Sequence, residues 1–294
     1  MNNNKTNSGI SWINPLGGMG DTLMVSGVLK LVIENDPLQR FNLIRRTSYL
    51  SILKGHPAIA EIGYPPQDAT IIGTDYWSKE ELGPNNQRAF QILARMFGLP
   101  SPIEEHLYLC DGLEEDPLLH NFIPWGKQNI LIAPFSACPR KEMHPSLWHH
   151  LVDLLHQKEN FVVQVGKLHE QHIRNTYSLL GLTTPQQLIA LIRKFDVVVT
   201  SDNFIMHAAH LVGTPTVVLW GPTDHRVYGY AEQTHLQSPK MCNSEVECIG
   251  PQKGHLYQTP CPLESRHCMG QITPEDIYKA VQGCLEKGTA SILF

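Results

Sequence analysis

The chain has 294 residues, 42% of them hydrophobic and 17% charged, with a net charge of −5. That acid excess argues against a broad basic surface for nucleic acid, and the length suits two domains that can each bury a core. No run approaches the ~20 apolar residues of a membrane span, and the start, MNNNKTNSG, has no apolar signal-peptide core. Residues 1–8 are therefore expected to be a disordered leader on a cytoplasmic protein, with membrane contact at most peripheral.

In chain order, ISWIN (10–14) reads as a short strand, and PLGGMGD follows as a tight glycine loop. TLMVSGVLKLVIEND then spaces Leu23, Val25, Val28, Leu29 and Val32 as on a helix, with Asp21 in the N-cap position. FNLIRR (41–46) is a second strand and AEIGYPP (60–66) holds a third. NNQRAFQILARMFGLP (85–100) is a helix closed by Gly-Leu-Pro. Residues 111–128 mix acid, Pro and Gly without period and read as a linker.

The alternation then restarts. NILIAP (129–134) is a strand, HPSLWHHLVDLLHQ (144–157) a helix, FVVQVG (161–166) a strand and HEQHIRNTYSLL (169–180) a helix. TPQQLIALIRKF (184–195) is a further helix, DVVVT (196–200) and TVVLWG (216–221) are strands, and TPEDIYKAVQGCLEK (273–287) is the last helix. Strands alternating with helices mean parallel sheets covered on both faces. Two such runs predict an α/β protein of two Rossmann-like domains facing across a cleft, residues 9–125 and 126–294. Lys and Arg number 9 against 14 Asp and Glu up to residue 126, and 14 against 14 beyond it, so the second domain is the better host for a phosphorylated ligand.

Several loops carry chemistry. In NPLGGMGDT, Gly17, Gly18 and Gly20 let backbone approach a ligand ahead of a helix N-terminus. Asp21 there either caps its helix or serves as a general base. APFSACPRKEMHP places Ser136, Arg140 and Lys141 after a parallel strand, a usual ligand position; a hydroxyl with an ammonium suits a diphosphate, and a solvated surface loop is the plain alternative. Glu170, just past the strand-ending Gly166, is placed to accept from ribose hydroxyls or to serve as a first-turn helix acid. TSDNFIMHAAHLVGTPTVVLWGPTD (200–224) is the most specific stretch. Asp202 and Asn203 end a strand and start a helix whose N–H groups and His207 suit an anion. His210 lies at i+3 from His207, without a third ligand at zinc spacing.

Seven cysteines without an export signal argue against a disulfide framework. Four of them, Cys242, Cys248, Cys261 and Cys268, crowd into residues 242–268 with five, twelve and six residues between them. This spacing matches tight zinc knuckles only loosely. It leaves a structural Zn or Fe site, free thiols and partial disulfides open.

GGMGDTLMVSGVLKLV, VGKLHE and SDNFIMHAAHLVGTPTVVLWGPTD stand in the order and spacing of glycosyltransferase family 9, the heptosyltransferase-like enzymes, and PCPLESRHCMGQITPEDI resembles that family's C-terminal cysteine segment. The resemblance implies a GT-B fold and an inverting transfer that needs no catalytic metal or cofactor. It also implies an ADP-heptose donor and a surface-glycan or glycolipid acceptor. It implies that Asp21 is the base, that Ser136 and Lys141 contact donor phosphates, and that Glu170 meets the ribose. Asp202, Asn203 and His207 would grip the diphosphate and sugar, and the cysteine segment would be a metal-bound finger. The sequence departs from the family where a glycine is usual two residues after the aspartate, at Phe204, and where Lys141 is followed by Glu-Met-His-Pro rather than closely by Trp-Pro. An impaired nucleotide-sugar-binding protein and a sugar-nucleotide epimerase or hydrolase are the rival expectations.

Overall fold

The structure is a computed structural model that describes residues 10–46, 48–83, 85–110, 112–238, 248–249, 254–263 and 268–291. The leader 1–8 and Cys242 lie outside these residues. The chain divides into two compact units, Met1–Leu82 with Ala89–Gly112, and Gly83–Arg88 with Leu113–Phe294.

The first unit is built on β1 (Trp12–Asn14), α1 (Met19–Asn35), β2 (Phe41–Ile44), β3 (Ile59–Gly63), β4 (Ile71–Gly73) and α2 (Ala89–Met96). Its sheet runs β3-β2-β1-β4, all parallel, with Ile13 registered between Leu43 and Ile72. β4 escapes a sequence reading because three residues carry no period. α1 buries Leu23, Met24, Val25, Val28 and Leu29 almost completely, which is why its sequence is apolar nearly all round. The helix begins at Met19 with Gly18 as N-cap, so Asp21 sits third in the first turn rather than at the cap. Its carboxylate reaches back to the Gly18 N–H, doing a cap's work from inside the helix. α2 ends at a left-handed Gly98 (φ 78°), as Gly-Leu-Pro implies.

The second unit contains α3 (Pro117–His120), β5 (Asn129–Ala133), α4 (Pro145–His156), β6 (Phe161–Gln164), β7 (Tyr177–Ser178), α5 (Pro185–Ile192), β8 (Val197–Ser201), α6 (Phe204–Val212), β9 (Thr216–Trp220), α7 (His225–Tyr228), β10 (Thr234–Gln237) and α8 (Pro274–Ser291). Six parallel strands run β10-β9-β8-β5-β6-β7. The central strands β5, β8 and β9 are buried at every residue, which accounts for their unbroken apolar runs. α4 buries Trp148, Leu151, Val152 and Leu155 fully, each worth roughly 1.5–3 kcal/mol of transfer free energy, and α8 adds Ile277, Val281 and Leu285 to the same core.

Residues 113–116, read above as linker, are held to α5 by the Arg193–Glu115 ion pair and by Thr184 donating to Glu114. Arg88 donates to the carbonyls of Arg226 and Gly229, which ties residues 83–88 to this unit.

The helix expected over HEQHIRNTYSLL does not form. The buried side chain of Gln164 takes its place as hydrogen-bond partner, donating to the Gln171 carbonyl at 2.9 Å and accepting from the Ile173 N–H at 2.8 Å. Asn175 adopts φ 63°, and β7 follows at once. Amphipathic spacing was present, but a buried amide outcompeted the helical ladder.

Candidate active site

In an open parallel sheet, ligands sit beyond the carboxyl ends of the strands where the order reverses. In the second unit the reversal falls between β5 and β8. The loops after these strands carry Ser136–Lys141 and Asp202–Asn203.

The structure joins the two loops through charge. Lys141 Nζ lies 2.7 Å from Asp202 Oδ2, and the same oxygen accepts from Thr223 Oγ1 at 2.7 Å. Both ionic side chains are almost removed from water, at 11% and 9% exposure. Burial by itself would raise the Asp202 pKa, but the Lys141 charge and the two donated hydrogen bonds hold it below the ordinary carboxylate value. Burial would likewise lower the Lys141 pKa, and Asp202 drives it upward instead. Thr223 belongs to the Gly-Pro-Thr-Asp end of β9, so three strand ends meet at one carboxylate. The ring of Tyr257 lies 5.5 Å from Lys141 Nζ.

Arg140, the other cation of the loop, has a structural job. Its guanidinium donates to the carbonyl and hydroxyl of Thr259 at 3.1 and 2.8 Å, so it anchors residues 254–263. Ser136 Oγ accepts from Cys138 N–H, and Ser136 N–H donates to Glu142. His144 caps α4 by accepting from Ser146 N–H.

Asn203 is the N-cap of α6. Its Oδ1 accepts from Ile205 N–H at 2.8 Å and its Nδ2 donates to the Phe135 carbonyl at 2.9 Å. It thereby fixes the helix start against the loop after β5. Phe204 is the first helical residue, and the only non-glycine positive φ values among the described residues are at Glu159 and Asn175. Phe204 therefore carries no left-handed backbone strain.

His207 is buried, with Nδ1 2.7 Å from the Tyr230 hydroxyl. Burial lowers its pKa to about 4, so near neutral pH it is a hydrogen-bonding group and not a cation. His210 stacks on the ring of the same Tyr230 and pairs with Glu232.

Glu170 stands in a turn rather than in a helix, half-buried, with its pKa raised by burial. Gly166 (φ 155°) makes room for it: a Cβ there would lie 1.9 Å from Glu170 Oε2.

In the first unit the strand order reverses between β1 and β4. Gly17 (φ 94°) turns the chain after β1, and a Cβ on it would lie 2.5 Å from Asp21 Oδ2. That oxygen accepts from Gly18 N–H at 2.6 Å, and Oδ1 accepts from the Tyr76 hydroxyl at 2.6 Å. Tyr76 was not singled out in the sequence, because the strand that positions it, β4, was not recognised.

The model of glycosyltransferase family 9 (heptosyltransferase) matches residues 74–252. The chain belongs to this family. The match takes in Ser136, Lys141, Glu170, Asp202, Asn203 and His207 and leaves Asp21 outside it.

The chain is 22% identical over 211 residues to the lipopolysaccharide core heptosyltransferase OpsX of Haemophilus influenzae, covering 68% of this chain and 60% of that protein. It is 25% identical over 127 residues to lipooligosaccharide heptosyltransferase 2 of Campylobacter jejuni, covering 43% and 36%. It thus spans less than two thirds of the length of the curated relatives it matches.

Among solved structures, the iron-containing dodecameric glycosyltransferase TibC of enterotoxigenic E. coli superposes with a TM-score of 0.70 at 16% identity, over 96% of this chain and 76% of that one. The family 9 glycosyl transferase of Veillonella parvula gives 0.66 at 14%, over 94% and 97%. E. coli heptosyltransferase WaaC with ADP-2-deoxy-2-fluoro heptose gives 0.60 at 12%, over 94% and 99%. The fold of this family 9 chain is accordingly GT-B.

Among the described residues no three His, Cys, Asp or Glu side chains come close enough to hold a metal ion. Cys268 is buried in the second unit's core, where a Cβ on Gly221 would lie 3.0 Å from its sulfur. No helix among the described residues is long and apolar enough to cross a membrane.

Proposed function

We propose that this family 9 chain is an inverting, metal-independent glycosyltransferase that moves heptose from ADP-heptose to a surface-glycan or glycolipid acceptor in the cytoplasm. The observation that carries the reading is the meeting of Lys141, Asp202 and Thr223 at the strand reversal of the second unit. The Lys141 ammonium is kept charged by Asp202 beside a helix start, and an ammonium has three N–H donors, so it can hold Asp202 and still donate to a departing diphosphate. The first turn of α6 supplies oriented N–H groups with partial positive charge, and neutral His207 supplies a hydrogen bond. Glu170, made more basic by burial, accepts from the ribose. Asp21 takes the proton of the acceptor hydroxyl as that hydroxyl oxygen bonds to the anomeric carbon and the bond from that carbon to the diphosphate oxygen breaks, releasing ADP.

The names of the relatives support heptose as the sugar, and the structure of WaaC with an ADP-heptose analogue supports ADP as the carrier. A structural Zn or Fe at Cys242, Cys248, Cys261 and Cys268 draws support from the TibC description, whereas the described cysteines do not converge. Elemental analysis decides between metal and free thiols, and no step of the reaction passes through it.

The test is turnover. ADP release from ADP-heptose should require acceptor, persist in excess EDTA, and fall about 10²–10⁴-fold in Asp21→Ala with donor affinity retained. Undiminished turnover in Asp21→Ala removes the base. ADP release without acceptor favours a hydrolase. Donor binding without transfer to any acceptor favours a binding protein.

A further inference from the structure

We propose that Tyr76 is a positioning residue that holds the Asp21 carboxylate in its reactive orientation, an inference that rests on the reading of Asp21 as base. The strand order of the first unit brings two loops out side by side, one after β1 and one after β4. The first becomes the opening turn of α1 and carries Asp21; the second carries Tyr76. The tyrosine hydroxyl donates to Oδ1 at 2.6 Å while the Gly18 N–H donates to Oδ2 at 2.6 Å. The two donors come from different elements and grip opposite oxygens. Rotation of the carboxylate about Cβ–Cγ breaks both bonds.

The grip is itself anchored. Tyr76 is 4% exposed and packs edge-on against Trp77, with ring centroids 5.2 Å apart. Two residues earlier, Thr74 Oγ1 accepts from the Leu16 N–H at 2.7 Å, tying the end of β4 to the glycine loop. A ring needed only for packing would serve as well as phenylalanine. A buried hydroxyl needs a partner, and this one has the carboxylate to which the chemistry is assigned.

Loss of the hydroxyl lets the carboxylate sample unproductive orientations, and misplacement on this scale costs about tenfold or more in rate. Tyr76→Phe is expected to lower kcat about tenfold, with ADP-heptose affinity and the thermal midpoint at wild-type values. In an Asp21→Asn background, adding Tyr76→Phe should lower kcat no further, because the two residues act as a unit.

Wild-type kcat in Tyr76→Phe, or a further tenfold loss in the double variant, overturns the inference while leaving Asp21 as base. Wild-type kcat in Asp21→Asn overturns the base itself, a separately visible result. If Tyr76→Phe loses stability, kcat is compared at a temperature where circular dichroism shows both proteins fully folded. Wild-type kcat in Tyr76→Phe at that temperature assigns Tyr76 to structure alone and overturns the inference.

Discussion

Replacing Lys141 by methionine strips the counter-charge from a carboxylate that has almost no access to water. The two groups sit 2.7 Å apart with about a tenth of each side chain exposed. At that distance and an effective dielectric near 20, Coulomb attraction is about 6 kcal/mol, from which the desolvation of both ions must be subtracted. Breaking such a pair from one side costs about 3–5 kcal/mol, because a buried charge is left behind. Thr223 still donates to Asp202, which favours the lower end, so about 3 kcal/mol is expected. For a unit of this size that lowers the thermal midpoint by roughly 6–12 °C. Lys141→Met/Asp202→Asn leaves no charge behind and should be more stable than Lys141→Met alone.

Urea unfolding followed by tryptophan fluorescence reads both effects, since Trp148 and Trp220 are fully buried in this unit. A loss below 1 kcal/mol in Lys141→Met, with the double variant less stable still, would refute the claim that the pair is buried. The pH dependence has a definite sign. Asp202 is lowered from 3.8 and Lys141 raised from 10.5, so the pair's contribution is complete between those values. It is lost as pH falls through the folded value of Asp202 or rises through that of Lys141.

Gly17→Ala drives a methyl into Asp21 Oδ2; kcat should fall at least tenfold with donor affinity unchanged, checked by steady-state kinetics and calorimetry. Gly166→Ala expels the Glu170 carboxylate from its place, and should weaken ADP-heptose binding about tenfold in calorimetry without altering the acid–base chemistry. His56 and His207 are both buried and lowered from 6.5 to about 4. Their neutral forms are therefore favoured in the folded state, and stability should be full above pH 6.5 and decline as pH falls toward 4, by about 3 kcal/mol per histidine. Equilibrium unfolding at pH 7 and pH 4.5 checks this, and His56→Gln, which cannot gain a proton, should flatten the decline.

Much of the architecture is legible along the chain because its causes are short-range. Apolar runs such as VVV (197–199) and VVLW (217–220) must be buried on both faces, and Asn203 and Gly213 mark the ends of one helix at the residue. The glycine loop, the loop after β5 and the Ser-Asp-Asn turn could be placed at strand ends for the same reason. A helix over 169–180 was an error of the same origin: local spacing favoured it, and the buried amide of Gln164 that overrules it lies outside the segment.

What tertiary structure alone decides is partnership. Nothing near Lys141 in sequence foretells that it meets Asp202, 61 residues on, and leaves Arg140 to hold Thr259. Nothing near Asp21 foretells Tyr76, 55 residues away. Strand order sets those meetings, and that order is the outcome of pairing between strands too far apart in sequence for any one window of residues to hold both. The amino-acid sequence by itself determined which side chains carry charge and which backbone must turn. The fold determined which of those charges meet in the dry interior, where the low dielectric makes the meeting consequential.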